Sequence, residues 1–172
     1  NRVLNCIGTI YVDAVRGVPL IVLAYFIYFG VPSGMKMMGA TDFRLSALQA
    51  GTIALAMNCG AYMAEIIRAG IQSVDKGQME ASRSLGLSYA KSMRLVILPQ
   101  AIRTMVPSII NQFIITVKDT SILSVIGFPE LVLAAKNVQA GTFKSFETWT
   151  IVGIMYLIVK KRSDQPSRGV CI

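Results

Sequence analysis

The residues of this chain with the most chemical potential are ionisable groups set in or at the ends of apolar runs. Glu65 and Arg68 close one run; Lys118 and Asp119 lie within another, followed by Thr120 and Ser121. Charge in lipid is costly, so such groups are functional candidates by default. Glu65 and Arg68 are three apart, a helical spacing at which opposite charges meet. Two readings stand for them: an ion pair at the membrane interface, or contacts to a polar solute. Lys118 and Asp119 also have two readings, a polar path between helices or a cap on a broken helix. Asn58, Tyr62, Asn111 and Gln112 occupy the same two runs. Catalysis fits poorly. The chain has no histidine, the commonest general base and metal ligand. Cys6, Cys59 and Cys171 have neither metal nor disulfide spacing. We assign no catalytic residue and no metal site.

Composition says what must position these groups. The 172 residues are 53% hydrophobic and 15% charged, whereas soluble domains have about 45–50% and about 25%. The net charge of +8 lies between apolar runs, with no basic stripe carrying interleaved aromatics. That is the pattern of topology determinants and argues against nucleic acid. An all-α membrane protein solvated by lipid is expected, and a chain beginning at Asn1 reads as an internal start.

Four spans are expected, at about 14–31, 45–67, 106–127 and 146–159. In the first, the purely apolar part is short, so the helix borrows an amphipathic lead-in carrying Asp13 and Arg16, with Pro19 restarting it after a bend at Gly17. Residues 31–44, with Pro32, Gly34, Gly39 and Asp42, read as a loop. The second span carries Ala47/Gly51, Ala50/Ala54, Ala56/Gly60 and Gly60/Ala64, four apart, the spacing of closely packed membrane helices. Gly127 and Pro129 mark the end of the third, and an apolar patch near 131–135 reads as a short surface helix. The last apolar run covers only residues 149–159. The polar tail 160–172 is not expected to complete a membrane helix.

Between the second and third spans lies a basic segment, with a coupling loop at 76–105. Lys76, Arg83, Lys91, Arg94 and Arg103 face a single acid, Glu80. The positive-inside rule places it in the cytoplasm. Residues 76–85 read as a helix ended by Gly86, and Ser88 caps a second helix expected to run through Leu98, with Pro99 and Pro107 punctuating the return to the membrane. Small Ala81 and Ser82 would let a partner approach the helix backbone. Glu80, read as lying in the first turn, either complements the helix dipole or meets a basic group on that partner.

EASRSLGLSYAKSMRLVILPQA, residues 80–101, resembles the EAA loop of the membrane-spanning subunits of bacterial ABC importers. The matching positions are Glu80, Ala81, Gly86, Ile97, Leu98 and Pro99, with Ser82 in place of the second alanine. YVDAVRGVPLIVLAYFIYFGVP, GAYMAEIIRAGIQSVDKGQ and VKDTSILSVIG resemble the polar amino-acid subfamily, the histidine/glutamine type, with Asp13 where glutamate is usual. The likeness runs from about residue 5 to residue 159. It implies a type I importer permease, a bundle of membrane helices with a cytoplasmic helix-turn-helix coupling loop, in the bacterial inner membrane. It also implies a second permease subunit, a cytoplasmic ATPase that holds ATP and magnesium, and an extracytoplasmic amino-acid-binding protein. No phosphate-binding GxxxxGK[ST] motif occurs in the chain, so no cofactor is assigned to it.

The implied function is ATP-driven import of a polar amino acid of the glutamine, glutamate, histidine or arginine type. A zwitterion needs a cation or N–H donors at its carboxylate and an acid or carbonyls at its ammonium. The candidate substrate path is therefore Asn58, Tyr62, Glu65, Asn111, Gln112, Lys118, Asp119 and Thr120. The alternatives are an importer of another small polar solute such as cystine, and a helical channel or membrane subunit not coupled to ATP. Relative to the family, an earlier membrane helix and the family's C-terminal sequence are missing, as in a fragment.

Overall fold

The computed structural model describes residues 2–39 and 43–169, with side-chain surroundings through residue 161. Asn1, Asp42, Cys171 and the end of the tail lie outside the described residues. The described elements are helices: α1 Arg2–Gly17, α2 Leu20–Met37, α3 Ala47–Gln72, α4 Lys76–Ser84, α5 Tyr89–Ile126, α6 Leu131–Thr142 and α7 Ser145–Gly169. Among them α2, α3 and α5 are long and apolar enough to cross a membrane.

Prolines shape these helices. α1 ends at Gly17, and Pro19 (φ −57°, ψ 141°) stands at the N-cap of α2, where its carbonyl accepts from Val22 and Leu23 N–H at 2.9 and 3.1 Å. No helical bond is lost there, because first-turn N–H groups have no intrahelical partner. The region expected as an elbow and one span is thus two helices. The crossing one runs on to Met37, through residues read as loop. It passes Pro32 because the π-turn Phe26–Gly30 comes just before it: Val31 N–H bonds to Phe26 O, five residues back. A proline ring clashes with the carbonyl four residues earlier in an α-helix, and the wider turn moves that carbonyl aside. α5 repeats the device. The π-turn Met93–Ile97, closed by Leu98 N–H on Met93 O, precedes Pro99. The helix expected to stop at Leu98 therefore continues through Pro99 and Pro107 to Asp119 and closes in the tighter turns Thr120–Ile126.

Gly127 (φ +79°) ends α5, with Gly127 N–H on Ser124 O and Phe128 N–H on Leu123 O, both 3.2 Å. This pair of bonds satisfies the last carbonyls of the helix and requires a left-handed residue. Glu130 then opens α6, its carboxylate accepting Val132 and Leu133 N–H at 2.7 and 2.6 Å. α7 packs on α5 and α6. Its backbone stays helical to Gly169, past the expected stop at Val159. Lys and Arg are good helix formers, so loss of apolarity does not by itself end a helix.

α3 is central, packed by α1, α2 and α5. Its buried face is Ala50, Gly51, Ala54, Asn58, Ala61 and Gly70. Of the small-residue pairs expected to pack, Ala56, Gly60 and Ala64 are instead exposed; helical phase puts them on another side. Ala50 and Ala54 are closed over by Leu20, Ala24 and Ile27 of α2 and by Leu123 and Ile126 of α5. Lipid tails are as apolar as leucine, so close backbone approach rather than hydrophobic burial drives such contacts.

Candidate functional site

A cleft of about 530 Å³ opens where the α1–α2 turn meets the middle of α3 and the far half of α5. Arg16, Gly17, Val18, Pro19 and Leu20 form one wall, Asn58 and Tyr62 another, and Gln112, Ile115, Asp119 and Ile122 the third. This size is within the range of small-molecule sites, roughly 300–1,000 Å³, and the mix of apolar walls with few polar groups is their usual chemistry. Helical spacing explains the third wall: 112, 115, 119 and 122 fall at i, i+3, i+7 and i+10, one face of α5.

The polar groups are positioned but not used up. Asn58 is buried, yet its amide makes no hydrogen bond to the described residues. Gln112 is buried, with its Nε2 donating only at 3.5 Å to Thr116 Oγ1, which itself donates to Gln112 O at 2.9 Å. Asp119, half-buried, has no ion pair among the described residues. Arg16 comes from the last turn of α1; its Nη1 lies 3.4 Å from Glu65 Oε2, and its guanidinium sits 5.4 Å from the centre of the Tyr62 ring. The neighbouring hydroxyl of Tyr11 donates to Met57 O at 2.7 Å and ties α1 to α3.

Of the expected path residues, Asn58, Tyr62, Gln112 and Asp119 line this cleft. Glu65 stands one turn beyond Tyr62 and pairs with Arg16, not with Arg68 as the i, i+3 spacing suggested. Packing of α1 on α3 offers a closer cation. Asn111 and Lys118 are exposed and do not line the cleft; Thr120 does not either, and turns back to donate to Val117 O at 2.7 Å. Asn111 and Lys118 each sit one residue from a cleft residue, about 100° around the helix. Arg16, expected only as part of an amphipathic lead-in, is a cleft residue. Its placement directly before a Gly-x-Pro break was the available signal.

A second feature is the turn between α4 and α5. Asp75 caps α4, its Oδ1 accepting Gly77 N–H at 2.6 Å. It, and not Glu80 beyond the first turn, is the carboxylate at this helix N-terminus. Gly86 adopts φ +85°, with Gly86 N–H on Arg83 O at 3.0 Å and Leu87 N–H on Ser82 O at 3.3 Å. Ser88 caps α5, accepting Lys91 N–H at 3.5 Å. Glu80, Ala81, Gly86 and Pro99 are exposed; Leu98 is half-buried. Ser82 and Ile97 point the other way and are buried, Ser82 Oγ donating to Met79 O at 2.9 Å. Ser82 was expected to face a partner; its small size instead serves the packing of α4 on the π-turn of α5.

Residues 1–160 match the family described as "Binding-protein-dependent transport system inner membrane component". Over 156 residues the chain is 42% identical to the probable glutamine ABC transporter permease protein GlnM of Bacillus subtilis, covering 91% of this chain and 69% of that one. It is 40% identical over 157 residues to the glutamine transport system permease protein GlnP of Escherichia coli, with the same coverages. The arginine transport system permease protein ArtQ of B. subtilis is 37% identical over 153 residues, 89% of this chain and 67% of that one. A crystal structure of an amino acid ABC transporter with histidines superposes with TM-score 0.87 at 40% identity, covering 97% of this chain and 75% of that one. The chain belongs to the family of binding-protein-dependent transport system inner membrane components, the permease subunits of ABC importers. It is a multi-pass inner-membrane transport subunit and not an enzyme; ATP is hydrolysed on a separate subunit.

Proposed function

We propose that this chain forms the path for ATP-driven import of a polar amino acid, with the cleft between the α1–α2 turn, α3 and α5 as the solute site. The observation that carries this reading is the charge and hydrogen-bonding content of the cleft. It holds one acid, Asp119, and one cation, Arg16, together with the amides of Asn58 and Gln112, whose capacity is largely unspent. A zwitterion places its ammonium at the acid and its carboxylate at the cation, and leaves a polar neutral side chain for the amides. The named relatives include two glutamine permeases, which agrees with that content.

The same reading assigns the α4–α5 turn, with exposed Glu80, Ala81 and Gly86, to docking on a cytoplasmic ATPase that binds ATP and magnesium. A second permease subunit and an extracytoplasmic binding protein complete the assembly. Asp119→Ala is expected to weaken solute binding by at least about tenfold, the cost of leaving one buried charge of a pair without its partner, while ATPase docking is unchanged. Proteoliposome uptake with the cognate binding protein, screened across amino acids, makes the measurement. Parental affinity and rates in Asp119→Ala would remove that residue from the site.

A further inference from the structure

Glu65 is not used by the solute site just described, yet it holds the only cation among the described residues that line the cleft. We propose that the Arg16 guanidinium is exchanged between Glu65 and the carboxylate of the incoming solute, so that Glu65 is a positioning residue that tunes affinity from outside the cleft. The proposal rests on the amino-acid reading above.

Three observations support the exchange. The Arg16–Glu65 contact, 3.4 Å through one nitrogen, is longer than the 2.7–2.9 Å of a strong charge-assisted bond. Both side chains are more than a third exposed, 37% and 36%, so packing within the chain does not lock the pair in place. Tyr62 lies under the guanidinium, 5.4 Å from ring centre to the central carbon, and lines the cleft itself. A cation over an aromatic face keeps its attraction as its hydrogen-bond partner changes, so Arg16 can swing from one carboxylate to another without leaving Tyr62. Because Arg16 belongs to the last turn of α1 and Glu65 to α3, filling the cleft also releases one tie between these helices.

The test uses the assembled transporter and two probes, glutamine and its decarboxylated amine, 4-aminobutanamide. Glu65→Gln is expected to lower the dissociation constant for glutamine by roughly two- to fivefold, the range an exposed ion pair can withhold, and to leave that of the amine unchanged. Glu65→Asp restores parental values. In Arg16→Gln the two probes bind alike, and adding Glu65→Gln changes neither. A Glu65→Gln complex that binds glutamine no more tightly than the parent, or that shifts both probes equally, overturns the exchange. If the parent complex binds no amino acid at all, the amino-acid reading fails and this proposal with it, which is a different result from binding that ignores Glu65.

Discussion

Gly86→Pro is expected to abolish uptake while the protein still inserts in the membrane. Proline locks φ near −65°, whereas residue 86 sits at φ +85°, and its N–H donates to Arg83 O. Both requirements fail together, at about 3 kcal/mol or more, which reduces the population with a correctly formed turn by about two orders of magnitude. Space is not the issue, since a Cβ on Gly86 meets nothing within 4 Å. Gly86→Asn therefore retains most activity, because asparagine tolerates the left-handed conformation. On the proposed docking role, Glu80→Lys, which reverses the lone acid of the exposed helix face, is expected to lower uptake without disturbing the fold. Proteoliposome uptake, membrane-fraction immunoblots and ATPase co-purification separate these effects. Uptake at parental rates in both Gly86→Pro and Glu80→Lys would end the coupling assignment.

Gly51→Val is expected to have the second large effect, on the bundle itself. A Cβ at residue 51 would lie 2.3 Å from Phe128 Cδ2 and 2.8 Å from Cε2, so the ring occupies the space a side chain needs. Overpacking of this kind costs about 1–3 kcal/mol, and a β-branched residue belongs at the upper end. Phe128 follows directly on the turn that ends α5, so a displaced ring pulls on the segment carrying Asp119 and Ile122. The solubilised complex should melt several degrees below the parent and lose uptake. Adding Phe128→Ala should recover a large part of both, because it empties the contested volume. A Gly51→Val complex that melts with the parent would show that the ring yields freely.

Elements set by local chemistry were legible before the structure. Gly86 and Ser88 carry φ and capping requirements within a few residues, and Pro19 after Gly17 marks a restart by the same local logic. The small residues of α3 announced close packing, but not which side. Ala50 and Ala54 are inside while Ala56 and Gly60 are outside, and only the positions of α1, α2 and α5 decide that. Pro32 and Pro99 misled for a related reason: a proline signals that an α-turn is impossible there, and a π-turn is a rarer way to comply than a loop. In the cleft, helical spacing puts Asn58 and Tyr62 on one face of α3, and Gln112 and Asp119 on one face of α5. Arg16 could not be paired with Glu65 from spacing, because nearly fifty positions separate them and only tertiary packing brings them together.

The π-turn at Met93–Ile97 also sets the rotational phase of α5. It holds one more residue than an α-turn, and each residue is worth about 100° around the axis. Everything beyond Pro99 is therefore turned by roughly a quarter revolution relative to a regular helix starting at Ser88. Gln112, Ile115, Asp119 and Ile122 meet Asn58 and Tyr62 because of that offset. A regular helix from the same cap would present their neighbours Asn111 and Lys118 towards α3. The cleft-lining side of α5 is thus indexed by a turn about fifteen residues away, a few residues after the left-handed Gly86.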